Sequence, residues 1–458
     1  MLLSEYLGSL KGKSVSVIGI GVSNTPLIRL LLKAGISVCA RDKRPKDRFG
    51  DEIFELEKMG ATFILGPDYL TDLTEEVIFR TPGLNPNTPE LKLASRNGSI
   101  ITSEMEAFFE VCLCPIIAVT GSEGKTTTAT LIAEILSEAG FTVHLGGNIG
   151  NPLLTETERI KPSDYSVLEL SSFQLMTMTT SPYIAVCTNI TPNHLDYHRD
   201  MAEYIAAKMN IFLHQKTNGL LVLNSDYPST EAFTAMKKGT VRHFSRKKKP
   251  ANGFFFDGNC IYLIENGNQT PVLNRSEIRL PGLYNIENIM AAFCAVYDIA
   301  GFEACRSAAK RFTGVEHRNE LFCEKDGVKY INNTIASSPT RTIAELLSHD
   351  DKVIMIAGGY DKNIPYDALG PVICDKVKIL VLTGETGTKI KASVEKACSP
   401  DNLPVIIEEP DFKKAVLKAA AMAKPGDIVT LSPASASFDR FHDFAERGNV
   451  YKEIIRSL

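Results

Sequence analysis

The sequence predicts an α/β protein of three domains, each with a mostly parallel sheet, and three observations support this. Short apolar runs alternate with helical patterns along most of the chain, as βαβ units require. New blocks of this alternation open near Ile116 and after Thr313. The chain of 458 residues is also longer than a domain with one hydrophobic core usually is. We expect domains at 1–107, 108–313 and 314–458.

The first domain opens with a strand–helix–strand unit. Residues 14–20 are a buried strand pattern, 25–35 an amphipathic helix closed by Gly35, and 37–42 a second strand. The apolar segments 76–83 and 99–106 continue the pattern as further strands. A parallel sheet follows from this order.

The second block contains a glycine-rich loop and a helix that runs to about Glu138. Asp257-Gly258 separates two apolar runs and predicts a hairpin. The basic run 246–249 before it is typical of a solvated loop. Further strands are expected at 165–170, 183–190 and 219–224. The third block repeats the α/β pattern, with strands in GVKYIN, KVIMIAGG, KILVLTG, VIIEE and IVTLSP.

Composition narrows the class of protein. A net charge of -4 gives no sign of nucleic-acid binding, and no run of 18 apolar residues predicts a membrane span. The first residues lack the pattern of a secretory signal. The ten cysteines form no C-x-x-C pair, so we expect small core side chains in a reducing cytoplasm.

The segment TGSEGKTT (120–127) predicts a phosphate-binding loop, although Val119 stands where the usual motif has its first glycine. Such a loop needs backbone N–H groups at a helix N-terminus, a lysine for terminal phosphates and a hydroxyl for Mg²⁺. Lys125 and Thr126 meet the last two needs. An ordinary turn is the alternative. The role of Glu123, a carboxylate beside expected phosphates, stays open.

Candidate metal ligands follow the loop. Glu169 ends a strand, where α/β nucleotide sites place a Mg²⁺ ligand. His194 and His198 could form an i, i+4 metal pair, but Pro192 predicts a loop there, and a structural role is favoured for His198. Lys208 lies on an apolar helix, either snorkelling to solvent or buried near carboxylates and metal.

These segments together resemble the Mur ligases, ATP-dependent amide-forming enzymes of peptidoglycan precursor synthesis. The resemblance covers essentially the whole chain. Within the family, GGNIGNPL (146–153), ELSSFQL (169–175), TNITPNHLDYH (188–198) and LSPASASFDRF (431–441) are similar to the members that add D-glutamate. The resemblance implies Rossmann-like first and third domains around a P-loop-type ATPase domain. Its implied ligands are ATP, two Mg²⁺ ions, UDP-N-acetylmuramoyl-L-alanine and D-glutamate, bound by a cytoplasmic monomer.

The resemblance also implies residue roles. Lys125, His194 and a carbamylated Lys208 are the expected catalytic groups, and the magnesium ligands are Thr126, Glu169, His194 and Lys208. The remaining ATP contacts are Gly121, Ser122, Glu123, Gly124, Thr127, Asn285, Asn288, His317, Arg318 and Asn333. The UDP-substrate contacts are Gly21, Val22, Ser23, Asp42, Arg44, Thr81, Gly83, Asn148, Ser171 and Phe173. D-Glutamate is expected against Ser337, Lys362, Ser437, Phe438 and Phe444.

Three positions depart from the family pattern. Asn333 stands where an Asp is usual, Ile335 where many members have Lys, and Ser337 where Thr is common. These departures bear on the ribose contact and the amino-acid contacts rather than on phosphate chemistry.

Three alternatives are open. One is folylpolyglutamate synthase or another amino-acid-adding Mur ligase, and the expected UDP-type first domain disfavours the folate enzyme. A second is a nucleotide-regulated binding protein without catalysis. A third, an NAD-dependent dehydrogenase, is disfavoured because the turn GIGVSN has Asn24 where the third dinucleotide glycine belongs.

Overall fold

The computed structural model describes residues 1–150, 152–194, 197–237, 239–280, 282–362 and 364–458. Within these ranges the strands form three sheets, as the sequence predicts. The chain divides into two compact units. The first holds residues 1–278 and 283–311 with two of the sheets, and the second holds 279–282 and 312–458 with the third.

The first sheet has the order β3-β2-β1-β4-β5, and its neighbouring strands are all parallel. Its strands are β1 (Val15–Ile18), β2 (Val38–Asp42), β3 (Thr62–Leu65), β4 (Val77–Arg80) and β5 (Ile100–Thr102). The helices are α1 (Leu3–Leu10), α2 (Asn24–Lys33), α3 (Glu52–Lys58), α4 (Pro89–Arg96) and α5 (Glu104–Val111). One expectation was wrong here: residues 104–106 begin α5 instead of extending a strand, because Ser103 caps the helix by accepting from Glu106 N.

The second sheet has the order β14-β13-β12-β11-β10-β9-β6-β8-β7. It is parallel from β7 to β12 and ends in two antiparallel pairings, which include the hairpin predicted at Asp257-Gly258. Its strands are β6 (Ile116–Thr120), β7 (Val143–Gly147), β8 (Tyr165–Glu169), β9 (Ile184–Cys187), β10 (Leu220–Asn224), β11 (Thr240–Ser245), β12 (Gly253–Phe256), β13 (Cys260–Glu265) and β14 (Asn268–Asn274).

Helices of this part are α6 (Lys125–Glu138), α7 (Ser172–Leu175), α8 (Met201–Leu213), α9 (Pro228–Glu231) and α10 (Leu283–Arg311). The last changes direction at Gly301, whose φ of 79° is not helical. By length and composition α10 could cross a membrane, but 67% of its most apolar window is buried in the fold. Packing against α6 and the sheet therefore accounts for its apolar sequence.

The third sheet has the order β15-β16-β20-β17-β18-β19 and is parallel except for β15. Its strands are β15 (Glu320–Lys325), β16 (Val328–Asn332), β17 (Val353–Ala357), β18 (Val377–Leu382), β19 (Val405–Glu408) and β20 (Ile428–Leu431). The helices are α11 (Pro339–Leu346), α12 (Leu369–Lys376), α13 (Gly387–Ala397), α14 (Phe412–Met422) and α15 (Phe444–Arg456).

The cysteines do not all behave as isolated core side chains. Cys374 and Cys398 are joined by a disulfide between α12 and the end of α13, with their Cα atoms 5.5 Å apart. The other eight are thiols, five of them buried. The sequence expectation was therefore wrong for this pair.

Candidate active site

The predicted phosphate loop joins the carboxyl end of β6 to the amino end of α6. Gly124 is the N-cap of α6 with a φ of 81°, a region that side chains other than glycine rarely occupy. A Cβ on Gly124 would also lie 2.2 Å from Asn288 Oδ1, so the loop approaches α10 closely. The N–H groups of the first helical turn have no partner within the helix, which makes this end suited to an anion.

Side chains around the loop hold its shape. Lys125 Nζ donates to Ser122 O at 2.7 Å and so lies back over the loop. The hydroxyl of Ser122 donates to Thr191 O at 2.8 Å. Glu123 has an exposed side chain, and its carbonyl accepts from Thr188 and Asn189. The Glu123 carboxylate thus stands in solvent, which answers how the loop tolerates an acid.

Glu169 lies beside the loop because β8 is the neighbour of β6, with Glu169 opposite Val119. Its two carboxylate oxygens accept from Thr126 Oγ1 at 2.6 Å and from Asn148 Nδ2 at 2.7 Å. The donors are a hydroxyl and an amide, both neutral. A buried carboxylate with neutral partners and an adjacent hydroxyl offers the hard oxygen ligands that Mg²⁺ prefers.

Lys208 is buried on α8, at 2% exposure, and does not snorkel to solvent. Its Nζ donates to Gly121 O at 2.8 Å and to Thr120 Oγ1 at 3.2 Å, so it lies under the loop. Burial, together with repulsion from Lys125, lowers its pKa to about 7. The neutral amine is therefore well populated near neutral pH.

The histidines of 188–198 have different environments. His198 is buried and bonds Ser172 Oγ through Nε2 at 2.8 Å, which supports its structural role. His194 is exposed, has a φ of 55° and packs edge-on against Phe173, with ring centroids 5.0 Å apart. Across the described ranges no three His, Cys, Asp or Glu side chains converge as a metal site. Of the predicted magnesium ligands, the structure joins Thr126 directly to Glu169.

The glycine turn of the first sheet opens onto a cavity of about 390 Å³. A Cβ on Gly19, where φ is 89°, would lie 2.8 Å from Thr81 Cβ, so glycine is required there. Asp42 accepts from Ile20 N at 2.8 Å and from Arg44 Nη2 at 2.9 Å. The predicted substrate residues that line the cavity are Gly21, Val22, Ser23, Asp42, Arg44, Thr81 and Gly83, and Tyr69 and Lys43 join them without having been predicted.

Arg80 is a further residue that the sequence prediction missed. Its buried guanidinium donates to Phe173 O at 2.9 Å, to Thr177 Oγ1 at 3.0 Å and to Leu84 O at 3.1 Å. It thereby ties the loop that follows β4 to the segment that contains the predicted Ser171 and Phe173. Tyr197 makes a second tie, from its hydroxyl to Pro82 O at 3.0 Å. The sequence signal that could have identified Arg80 is its position as a charged residue at the end of an apolar strand.

The remaining ATP candidates of the first unit lie on α10. Asn285 and Asn288 are buried, and Asn288 Nδ2 donates to Asn285 Oδ1 at 3.1 Å. Thr128 Oγ1 donates to Asn288 Oδ1 at 3.3 Å. This contact brings the α10 residues to the first turn of α6, next to the half-buried Thr127.

The second unit holds the other candidates. His317 is buried with a φ of 65°, and Asn332 Nδ2 lies 3.0 Å from its Nδ1. Asn333 accepts from Asn319 N at 3.3 Å and donates to Ser432 Oγ at 3.3 Å. Arg318, between His317 and Asn319, is half-buried.

The residues predicted for D-glutamate form two groups in this unit. Lys362 Nζ lies 5.9 Å from the centre of the exposed Phe438 ring, next to the buried Ser437. Phe444 packs instead against His317, with ring centroids 6.1 Å apart. Ser337 is half-buried in the segment that follows β16. Arg447, buried and unpredicted, donates to Ser435 O and Thr334 O and so braces the segment before Ser437.

The three sheets and the loop with its lysine, hydroxyl and carboxylate define a nucleotide-binding α/β protein. Residues 119–296 match the model of the Mur ligase middle domain, and residues 317–435 match that of the Mur ligase glutamate ligase domain. The chain belongs to the Mur ligase family.

Named relatives match at full length. A protein named UDP-N-acetylmuramoylalanine--D-glutamate ligase from Acetivibrio thermocellus is 48% identical, covering 100% of this chain and 99% of the relative. One of the same name from Ruminiclostridium cellulolyticum is 46% identical with the same coverage.

Solved structures share the fold at low identity. The UDP-N-acetylmuramate-alanine ligase from Thermotoga maritima superimposes with a TM-score of 0.59 at 17% identity, covering 97% of this chain and 99% of that one. A pseudomurein peptide ligase type C from Methanothermus fervidus gives 0.55 at 19% identity, covering 97% and 100%.

Proposed function

We propose that this protein is an ATP-dependent ligase that adds D-glutamate to UDP-N-acetylmuramoyl-L-alanine in peptidoglycan precursor synthesis. The observation that carries the proposal is its full-length relationship, at 48% identity, to a protein named for that reaction. The loop supports the same reading, because Lys125, Thr126 and Glu169 supply what a triphosphate and its metal require.

We assign one task to each predicted domain. Residues 1–107 bind the UDP-substrate, 108–313 bind ATP and 314–458 bind the amino acid. The first cavity supports the first assignment, since Asp42 and Arg44 offer a carboxylate and a guanidinium beside an open glycine turn. The loop at the start of α6 supports the second. The Lys362 ammonium beside Phe438 supports the third, because it can pair with a substrate carboxylate.

Amide formation requires the alanine carboxylate to be activated. In the proposed reaction the carboxylate oxygen attacks the γ-phosphorus of ATP and gives an acyl phosphate and ADP. The amine of D-glutamate then attacks the acyl carbon, and the tetrahedral intermediate expels phosphate while the amine loses its proton. The chain contributes positioning and charge, because Lys125 and the N–H groups of the loop stabilise phosphate oxygens.

The proposal includes two Mg²⁺ ions, and the Glu169 carboxylate beside the Thr126 hydroxyl supports it with hard oxygen donors. Thr126 and Glu169 would hold one ion, and Glu169, His194 and a carbamylated Lys208 would hold the other. When bound, magnesium neutralises phosphate charge, so that the substrate carboxylate can approach the triphosphate. An unmodified Lys208 ammonium would oppose a cation here.

Carbamylation resolves that conflict. The neutral Nζ of Lys208 attacks the carbon of CO₂, an N–C bond forms and one proton leaves, so an anionic carbamate replaces the amine. We expect Lys208→Ala to fold normally, to lose nearly all activity and to regain part of it with short carboxylates such as formate. As a matched control, Lys216→Ala, an exposed lysine beyond the end of α8, should retain activity. Full activity of Lys208→Ala would contradict the carbamate.

One assay tests the proposed function. Phosphate release is measured with ATP, Mg²⁺, UDP-N-acetylmuramoyl-L-alanine and a panel of D- and L-amino acids. We expect release with D-glutamate and none with L-glutamate. Release with another amino acid alone would identify a different amino-acid-adding ligase, and no release with any would indicate a binding protein. Lys362→Ala should raise the KM for D-glutamate far more than that for ATP.

A further inference from the structure

A second polar cluster lies at the amino ends of the same strands, at the edge of the sheet opposite the loop. Cys112 Sγ is 3.6 Å from Cys114 Sγ, and Ser166 Oγ is 3.1 Å from Cys114 Sγ. Ser166 lies opposite Ile116 on β6 and His144 on β7. The strands carry the phosphate-binding residues at their other ends, so this dithiol plays no part in the proposed ligase chemistry.

The backbone explains why the two thiols meet. Helix α5 ends at Val111, and Cys112 is its C-cap in an extended conformation, with φ -67° and ψ 124°. Leu113 is 45% exposed, whereas Cys114 is buried again. Alternate side chains of an extended segment point the same way, so Cys112 and Cys114 face each other.

The cluster makes the two thiols chemically unequal. The hydrogen bond between the two sulfurs is the main cause that lowers the pKa of Cys112, and the electric field of His144 acts in the same direction. The same hydrogen bond, with burial and the charge of Asp164, raises the pKa of Cys114. His144 and Asp164 are themselves bonded, Nε2 to Oδ2, at 2.9 Å. The half-buried sulfur is therefore the more ionised and the buried sulfur keeps its proton.

We propose that Cys112 and Cys114 form a dithiol site that reduces hydroperoxides and closes to a disulfide. The Cys112 thiolate attacks the terminal OH oxygen of the hydroperoxide, an S–O bond forms, the O–O bond breaks, and the other oxygen leaves as hydroxide or alkoxide. This two-electron step oxidises Cys112 to a sulfenic acid. The Cys114 sulfur then attacks the Cys112 sulfur, an S–S bond forms, and the S–O bond breaks to release water with the thiol proton. In sum, two thiols and one hydroperoxide give a disulfide, an alcohol or water, and water.

The geometry favours closure over further oxidation. A disulfide needs the sulfurs about 2.05 Å apart, so they must approach by roughly 1.5 Å from van der Waals contact. Leu113 between them is 45% exposed, so the residue that links the two cysteines is not itself held in the core. Cys39 provides a matched comparison, because it is also half-buried but burial raises its pKa.

The test uses the full-length protein and hydrogen peroxide. After exposure, thiols are alkylated and the protein is digested with trypsin. The peptide of residues 97–125 contains Cys112 and Cys114 and no other cysteine. We expect it to lose two hydrogens, to carry no alkyl group and to recover both thiols after dithiothreitol. Cys39 should react about tenfold more slowly, in line with its smaller thiolate fraction.

Two variants assign the roles. In Cys114→Ser, Cys112 should stop at the sulfenic acid and be trapped by dimedone, and in Cys112→Ser, Cys114 should stay alkylatable. The wild-type measurement needs no variant and decides the proposal by itself. Full alkylation of both cysteines after a peroxide dose that oxidises Cys39 would overturn it, as would a sulfinic acid at Cys112 without a disulfide.

Discussion

The first and second sheets each contain a turn in which a strand enters a helix through glycines while a carboxylate reaches it from the neighbouring strand. In the first sheet the carboxylate is Asp42 at the end of β2, and in the second it is Glu169 at the end of β8. Asp42 accepts from the Ile20 N–H of its turn and from the guanidinium of Arg44. Glu169 accepts from the neutral groups of Thr126 and Asn148.

The difference lies in how the buried charge is compensated. Burial opposes ionisation of Asp42, but hydrogen bonds from Arg44 and Ile20 outweigh it and hold its pKa below the usual range. The Asp42 carboxylate is already paired with a cation. The glycine turn of the first sheet therefore suits an organic ligand held by shape and hydrogen bonds. The donors to Glu169 are a hydroxyl and an amide, and such a carboxylate suits the magnesium ion that we propose. We therefore expect these similar backbones to serve different ligands.

The largest expected effect on activity distinguishes Lys125, the cation of the phosphate loop, from Arg44, the cation beside the glycine turn of the first sheet. Lys125→Ala should lower kcat by about three orders of magnitude, because a transition-state charge contact costs several kcal/mol when lost. Arg44→Ala should raise the KM for the UDP-substrate and leave kcat within a few-fold. Steady-state kinetics with each substrate varied will measure both. Similar losses of kcat in the two variants would remove the distinction.

A third buried acid shows the effect of burial when one backbone hydrogen bond does not offset it. Glu104, at the start of α5, accepts from Leu154 N at 3.0 Å, and burial raises its pKa from 4.5 to about 7. Because the folded-state pKa is raised, the stability that protonated Glu104 contributes to the fold is fully present below about pH 4.5. This stability is lost as pH rises through about 7. The ionised acid should destabilise the fold by about 3 kcal/mol above that range.

Glu104→Gln keeps an oxygen for Leu154 N and cannot ionise. Melting temperatures of variant and wild type should therefore diverge between about pH 4.5 and pH 7, with the variant the more stable at the upper end. Asp42→Asn is the opposite control: the depressed pKa of Asp42 stabilises the fold above the ordinary pKa and ceases to do so in acid. Parallel profiles for Glu104→Gln and wild type would show that Glu104 is solvated.

The carboxylates of the two turns should differ in magnesium dependence. Glu169→Gln should raise the Mg²⁺ concentration for half-maximal activity by about tenfold or more, in the range that loss of a metal-site group produces. Asp42→Asn should leave that concentration unchanged. The measurement is a Mg²⁺ titration of phosphate release at saturating substrates. An equal shift in both variants would argue against a metal at Glu169.

The smallest expected effect concerns Arg80, which ties the loop that follows β4 to the segment after β8. Arg80→Lys keeps the charge but loses the planar donors that reach Phe173 O and Leu84 O together. We expect about a fivefold higher KM for the UDP-substrate, an unchanged KM for ATP and little change in kcat. Arg29→Lys, a half-exposed arginine paired with Glu55, is the matched control. An equal change in both KM values would assign Arg80 to general stability.

The sequence by itself determined the order of strands and helices, the phosphate loop and the acid that follows it. These features depend on local patterns: apolar periodicity, glycines at a strand–helix junction, and a carboxylate at a strand end. Helix α6 ends at Glu138 as predicted, and the hairpin at Asp257-Gly258 is confirmed. The failure at 104–106 was also local, since the capping Ser103 outweighed the apolar run.

Only the tertiary structure decided which polar groups meet. Glu169 contacts Thr126 because β8 pairs with β6, and sequence separation says nothing of that pairing. The burial of Lys208, the ties made by Arg80 and the facing thiols of Cys112 and Cys114 have the same origin. Each depends on long-range packing, which brings distant segments together and sets the desolvation that changes a side chain's charge.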